Sequence, residues 1–164
     1  MSKIVSKAQL KKLVVALRKE KKTIVFTNGC FDILHVGHIR YLQQARSMGD
    51  LLIVGVNSDE STRKLKGKSR PIVPENERSE IIAALDCVDY VIVFSETSPS
   101  NLIRIIKPDV HVKGGDWKIE ELPEIKIVQS YGGKVILTNY LEGHSTTNLL
   151  KKILEKHQKT LFNP

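Results

Sequence analysis

The chain has 164 residues, 41% hydrophobic and 27% charged, which fits one soluble globular domain large enough to bury a core. No apolar stretch reaches membrane-span length, the amino terminus lacks the apolar core of a secretory signal, and two cysteines without CxxC spacing make neither a disulfide framework nor a zinc site, so the setting reads as cytoplasmic. The net charge of +8 is terminal: residues 1–22 carry +7, residues 151–164 carry +3 and the segment between carries −2, so with 5% aromatics the basic ends read as solvated helix faces and not as a nucleic-acid track.

Residues 6–20, SKAQLKKLVVALRKE, predict a helix. Leu10, Leu13, Val14 and Leu17 recur at i, i+3, i+4 and i+7, and Ser6 and Gln9 have capping-box spacing. With no aromatic anchor on that stripe, it packs on the domain body and not on a membrane. TIVFTN (23–28) reads as a buried strand, HIRYLQQARSMG (38–49) as a helix terminated by Gly49, and LLIVGVN (51–57) as a second strand. The polar segment SDESTRKLKGKSRPIVP (58–74) reads as a loop. ENERSEIIAALD (75–86) reads as a helix and YVIVFS (90–95) as a strand. Ser98 caps a further helix with Pro99 at its first position. PDVHVKGG (108–115) is a strand that ends on two glycines, and LPEIKIVQSYGG (122–133) contains a helix ending at Gly132. KVILTNY (134–140) is a fifth strand and TTNLLKKILEKHQ (146–158) a last helix.

Strands that are apolar throughout, separated by amphipathic helices, predict the α/β class: an open five-stranded parallel sheet with helices on both faces. The expected organisation is one domain, with an amino-terminal helix up to residue 21, a core over 22–153, and a helix end and tail over 154–164. Ligands of such sheets lie beyond the carboxyl ends of the strands, where strand order reverses. The unusual residues fall at those ends: NGCFDILHVGH after the first strand, NSDESTRKLKGKSRP after the second, KGGDW after the fourth and EGHSTTN after the fifth.

His35 and His38, at i and i+3 around Gly37, project the same way from a helix start, where free N–H groups and the helix dipole favour phosphate. A metal pair and plain surface histidines are the competing readings, but no HExxH pattern and no obvious third ligand accompany the pair. Arg63, Lys64, Lys66, Lys68 and Arg70 form either a solvated run or a charge clamp. Ser145, Thr146 and Thr147 precede a helix as an N-cap, a phosphate cradle, or both. No P-loop, GxGxxG fingerprint or GxSxG elbow is present.

Together, GCFD–LHVGH, VNSD, LKGKSRP, KGGDW and EGHSTTN resemble the HxGH nucleotidyltransferases, and within them the bacterial D-glycero-β-D-manno-heptose 1-phosphate adenylyltransferases, over residues 22–153. The resemblance implies transfer of an adenylyl group from ATP to the sugar 1-phosphate, with magnesium carried on the nucleotide and no protein-bound metal. It implies catalytic roles for His35, His38 and Lys66. Nucleotide contacts would come from Gly29, Cys30, Phe31, Asp32, Gly37, Lys113, Gly114, Asp116, Glu142, Ser145, Thr146 and Thr147. Sugar-phosphate contacts would come from Asn57, Asp59, Lys66 and Arg78, the last either touching substrate or supporting the site. It further implies a homodimer with no nucleic-acid partner and no stable membrane association. Many relatives fuse this domain to a kinase, which a chain of this length lacks, so another protein would make the substrate. Tyr140 stands where the similar glycerol-3-phosphate cytidylyltransferases carry an arginine, which weighs against CTP. The alternative reading is a cytidylyltransferase acting on an alcohol phosphate.

Overall fold

The computed structural model describes residues 2–114, 124–138 and 145–162, with side chains described through residue 156. The expected sheet is present: strands β1 (Ile24–Gly29), β2 (Leu51–Asn57), β3 (Tyr90–Phe94), β4 (Val110–Gly114) and β5 (Lys134–Thr138) form one sheet in the order β3-β2-β1-β4-β5. Every pairing is parallel. The chain leaves β1 toward β2 and β3, then returns to the other side of β1 for β4 and β5. The order therefore reverses between β1 and β4, the switch point at whose carboxyl ends sheets of this type form a crevice for ligands.

Helices α1 (Lys7–Lys19), α2 (Val36–Arg46), α3 (Asp59–Lys66), α4 (Glu75–Ala83), α5 (Ser100–Ile106), α6 (Glu124–Gln129) and α7 (Thr146–Phe162) complete the element list. The period-2 alternation of the strands divides the core in two. Ile24, Phe26, Ile53, Ile92 and Phe94 pack against Leu10 and Val14 of α1, Leu102, Ile103 and Ile106 of α5 and Val128 of α6. Val25, Val54, Val56, Val91 and Val112 pack against Leu42 and Ala45 of α2 and Ile82 of α4. Both faces are covered, which is why the strands read as unbroken apolar runs.

The Ser6–Gln9 capping box forms on both of its hydrogen bonds. Residues before it, which carried no signal in the sequence, add a parallel bridge from Ile4 to Val91 on the edge strand.

Three expectations are corrected. Ser98 is not the N-cap of α5, because Pro99 holds that position without a side-chain cap bond and the first helical residue is Ser100. The segment after β2 is not all loop, because residues 59–66 form α3. Ser58 caps it by accepting the Ser61 N–H at 3.1 Å, acidic residues occupy its first turn and basic ones its last, and Glu60 pairs with Lys64 at 2.6 Å. Its inward face buries Ser61 and Thr62 and no large apolar side chain, so it has no hydrophobic period to read. Gly49 does not end α2 as a left-handed cap; the helix stops at Arg46. A Cβ at position 49 would lie 2.8 Å from the Thr23 carbonyl oxygen and 2.7 Å from Val25 Cγ2, so Gly49 is needed for close approach to β1.

At the amino ends of the strands a single device recurs. Asp50, Asp89 and Asp109 each directly precede a strand, and each carboxylate accepts a backbone N–H at the start of the neighbouring strand, of Thr23 just before β1, of Leu52 and of Ile24 in turn, all at 2.7 Å. The backbone N–H of each aspartate bonds back to the carbonyl of that same residue. Arg18 and Arg46 pair with Asp109 and Asp89. These exchanges pin the register of β1, β2, β3 and β4.

Candidate active site

The carboxyl end is built around the turn from β1 to α2. Phe31 and Ile33 both lie in the left-handed region, at φ 49° and 51°, a costly conformation for a bulky and a β-branched residue. The turn holds because Asp32 between them is anchored. Its carboxylate, 1% exposed, accepts the N–H groups of Ile72 and Val73 at 3.0 Å and the Nε–H of Arg70 at 2.5 Å. Burial alone would push this carboxyl up, but these donors outweigh it and hold the group below its usual range. Asp32 is thus spent on protein donors and shapes the turn. Phe31 turns its buried ring back over Gly29, where a Cβ would lie 3.1 Å from the ring.

His35 is the N-cap residue of α2, and His38 lies in its first turn, so the helix begins before the second histidine. The two imidazoles stack with centroids 3.9 Å apart, and Phe31 sets its ring edgewise to His38 at 5.5 Å. No side chain caps α2 and no acidic residue lies in its first turn, which leaves the positive end of the helix open to an anion. His38 is held at a pKa of about 4, first by burial and then by repulsion from His35, against a smaller pull from Asp32. It is therefore neutral at physiological pH. Its Nδ1 is buried without a protein partner among the described residues.

Arg78 is the second organiser. The side chain is fully enclosed, and its guanidinium donates to the carbonyls of Cys30, Asn57 (2.9 Å) and Val73 (2.8 Å) and to Asp59 Oδ1 (2.7 Å). One side chain thus ties the ends of β1 and β2 to α3 and the segment after it. Of its two expected roles the geometry fits support of the site. The Asn57 amide donates to Ser61 Oγ at 2.9 Å, so Asn57 and Asp59 are both engaged within the protein.

Among the basic residues that follow, Lys64 is taken by Glu60 and Arg70 by Asp32, while Lys66 and Lys68 are exposed. From α7, Thr146 Oγ1 donates to the Asp32 carbonyl at 2.6 Å and Ser145 Oγ accepts the Asn148 N–H at 3.1 Å, while Thr147 is exposed. The hydroxyl motif is therefore a cap and also touches the β1–α2 turn. Gly114 is covered on one side by Tyr41, whose ring would be 2.9 Å from an added Cβ. The Tyr41 hydroxyl bonds Thr27 Oγ1 and donates to the Val112 carbonyl at 3.0 Å, and burial pushes this phenol up. Asp116, Glu142 and His144 lie outside the described residues.

On the opposite face of the sheet, Lys113, an expected nucleotide contact, belongs to a buried polar cluster whose other members, Asn28, His111 and Glu124, the sequence reading missed. Lys113 Nζ lies 3.0 Å from Glu124 Oε1 and 3.2 Å from Asn28 Oδ1. His111, stacked on Phe26, places Nε2 3.8 Å from the same Glu124 oxygen and Nδ1 3.2 Å from the Phe26 carbonyl. Burial would raise the Glu124 carboxyl, but His111 and Lys113 bring it down to about 2. Only period-2 alternation, placing His111 and Lys113 on one face of a buried strand, hinted at it.

A parallel sheet with a stacked histidine pair at an uncapped helix amino terminus beyond its central strand, beside a basic segment and a hydroxyl cap, is the arrangement of an α/β protein of the HxGH nucleotidyltransferase kind. The chain belongs to the cytidylyltransferase-like family, whose model matches residues 26–152. It is 51% identical over 158 residues to the bifunctional protein HldE of Syntrophotalea carbinolica, across 96% of this chain and 32% of that protein. To its counterpart in Geobacter sulfurreducens it is 52% identical over 145 residues, covering 88% and 30%. The chain thus spans about a third of the length of these relatives. Among solved structures, a lipopolysaccharide core biosynthesis protein from Thermoplasma volcanium superposes with a TM-score of 0.61 at 35% identity, covering 73% of this chain and 97% of that one. A pantoate-beta-alanine ligase from Francisella tularensis shares the fold, with a TM-score of 0.61 at 18% identity over 93% of this chain and 78% of that one. Among the described residues, no helix is long and apolar enough to cross a membrane.

Proposed function

We propose that the protein is an adenylyltransferase that converts ATP and D-glycero-β-D-manno-heptose 1-phosphate to ADP-heptose and pyrophosphate. The observation that carries this reading is the stacked pair His35–His38 at the uncapped start of α2, beside the crevice between β1 and β4. The choice of sugar draws on the family resemblance, on high identity to the HldE proteins, and on the likeness to a protein of lipopolysaccharide core biosynthesis.

The chemistry is an in-line displacement. An oxygen of the sugar phosphate attacks the α-phosphorus of ATP, a new P–O bond forms, the bond to the bridging oxygen breaks, and pyrophosphate leaves with that electron pair. Neutral His38 donates an N–H to oxygens whose charge grows as the bond breaks, and His35 stacks alongside. The first-turn N–H groups of α2 and the exposed Lys66 or Lys68 neutralise the remaining phosphate charge. Arg78 and Asp32 act through the turn they hold. Asp32 and Asp59 are spent on protein donors and do not fit a resident metal, so magnesium would be carried by the nucleotide and would supply charge neutralisation of the triphosphate. In this reading the enzyme acts in the cytoplasm as a homodimer.

The test is a matrix of four nucleoside triphosphates against several sugar and polyol phosphates, followed by pyrophosphate release. The expected maximum is ATP with heptose 1-phosphate. A maximum with CTP and glycerol 3-phosphate would replace this reading with the cytidylyltransferase one. No release from any pair would remove both.

A further inference from the structure

Asn28 has no assigned role, yet its geometry is constrained. Asn28 and Lys113 directly follow Thr27 and Val112, the last paired residues of β1 and β4, so both border the switch crevice. Thr27 turns toward Tyr41 of α2, and alternation sends Asn28 to the other face, toward α6. There its Oδ1 accepts from Lys113 Nζ at 3.2 Å. An ammonium has only donors, so the amide must face it with oxygen and turn its NH2 group away. Lys113 is itself fixed: its side chain is 12% exposed, and it is bound at 3.0 Å to Glu124, whose side chain is 3% exposed. Asn28 is half-buried, and its NH2 is not among the enclosed polar atoms and has no protein partner among the described residues. A pair of accessible donors is thus left at the carboxyl end of β1, turned away from Lys113.

The phosphate-binding features of the site, the histidines and the start of α2, lie on the other sheet face. A nucleotide with its phosphates there must carry its nucleoside across the end of β1 toward β4. We propose that Asn28 is a nucleotide-binding residue whose NH2 donates to an acceptor atom of the nucleoside half, and that Glu124, acting through Lys113, is the positioning residue that fixes the direction of the amide. This rests on the nucleotidyl-transfer reading and adds to it a contact that distinguishes nucleoside from bare polyphosphate.

The test is calorimetric binding of two probes, a non-hydrolysable ATP analogue and inorganic tripolyphosphate, to the full chain. Asn28→Asp keeps an acceptor for Lys113 and removes the outward donors. It should weaken the ATP analogue roughly tenfold, the size of one lost hydrogen bond, while the melting temperature holds. Glu124→Gln should weaken the analogue by a smaller factor and leave tripolyphosphate within about twofold, a split that general loosening does not produce. Wild-type affinity for the analogue in Asn28→Asp overturns the Asn28 assignment. Equal weakening of both probes in Glu124→Gln overturns the positioning role. If the unmodified chain binds neither probe, the nucleotidyl-transfer reading itself falls, and the inference falls with it.

Discussion

The two ends of the sheet treat their polar groups in opposite ways. At the amino end, three aspartates each exchange two backbone hydrogen bonds with a neighbouring strand, and two of them also pair with arginines. At the carboxyl end the backbone is left-handed at Phe31 and Ile33, the start of α2 is uncapped, and His38 Nδ1 is buried without a partner among the described residues. A satisfied polar group stabilises the fold; an unsatisfied one costs stability and is retained where a ligand will complete it. The difference separates residues that hold the molecule together from those that, in the proposed function, meet substrate.

The largest expected effect sits where that division is blurred. Arg78 lies at the functional end but is fully satisfied. Arg78→Met should therefore behave as a scaffold change, lowering stability by about 3–5 kcal/mol by stranding Asp59 and three carbonyls. Denaturant unfolding measures it, and a stable but inactive variant would move Arg78 to the substrate-contacting group. His38→Ala is the opposite case. Turnover should fall by roughly 10²–10³-fold, as for loss of one transition-state donor, with unfolding little changed; a near-normal rate would remove the catalytic role.

The same histidine predicts a pH effect. Its pKa is about 4 when folded, against an ordinary value of 6.5, so the unfolded chain takes up the proton first. The contribution is fully present above pH 6.5 and is lost as pH falls toward 4, by at most about 3 kcal/mol. His38→Asn should flatten that part of the stability–pH curve, and an unchanged slope would place the titration elsewhere. The smallest effect belongs to the amino end: Asp109→Ala should cost about 1–3 kcal/mol by orphaning the Ile24 N–H, and leave the KM for ATP unchanged.

The sequence disclosed the architecture because the determinants of that architecture are periodic. Apolar strands, amphipathic helices and the Ser6–Gln9 box are local patterns, and HxGH is a local pattern at a strand end. What stayed hidden depends on contacts between distant segments. α3 reads as loop because its buried residues are serine and threonine. Nothing local to Asp32 foretells that Arg70, Ile72 and Val73 take its oxygens. Glu124 and His111 gain meaning only from the pairing of β1 with β4. The strand-leading aspartates do leave a local mark: each is an acidic residue immediately before an apolar run, three times over.

The Asp32 anchor also bears on when the site comes into being. Its carboxylate closes a span of 40 residues to Ile72, and Thr146 reaches its carbonyl across 114. Contacts so far apart in the chain carry a loop-closure cost that the sheet must first offset, so the turn should be assembled late in folding and released early in local opening. In native-state hydrogen exchange, the Ile72 and Val73 amides should exchange through smaller openings than those of β1. Equal protection would mean that the β1–α2 turn and the sheet form one cooperative unit.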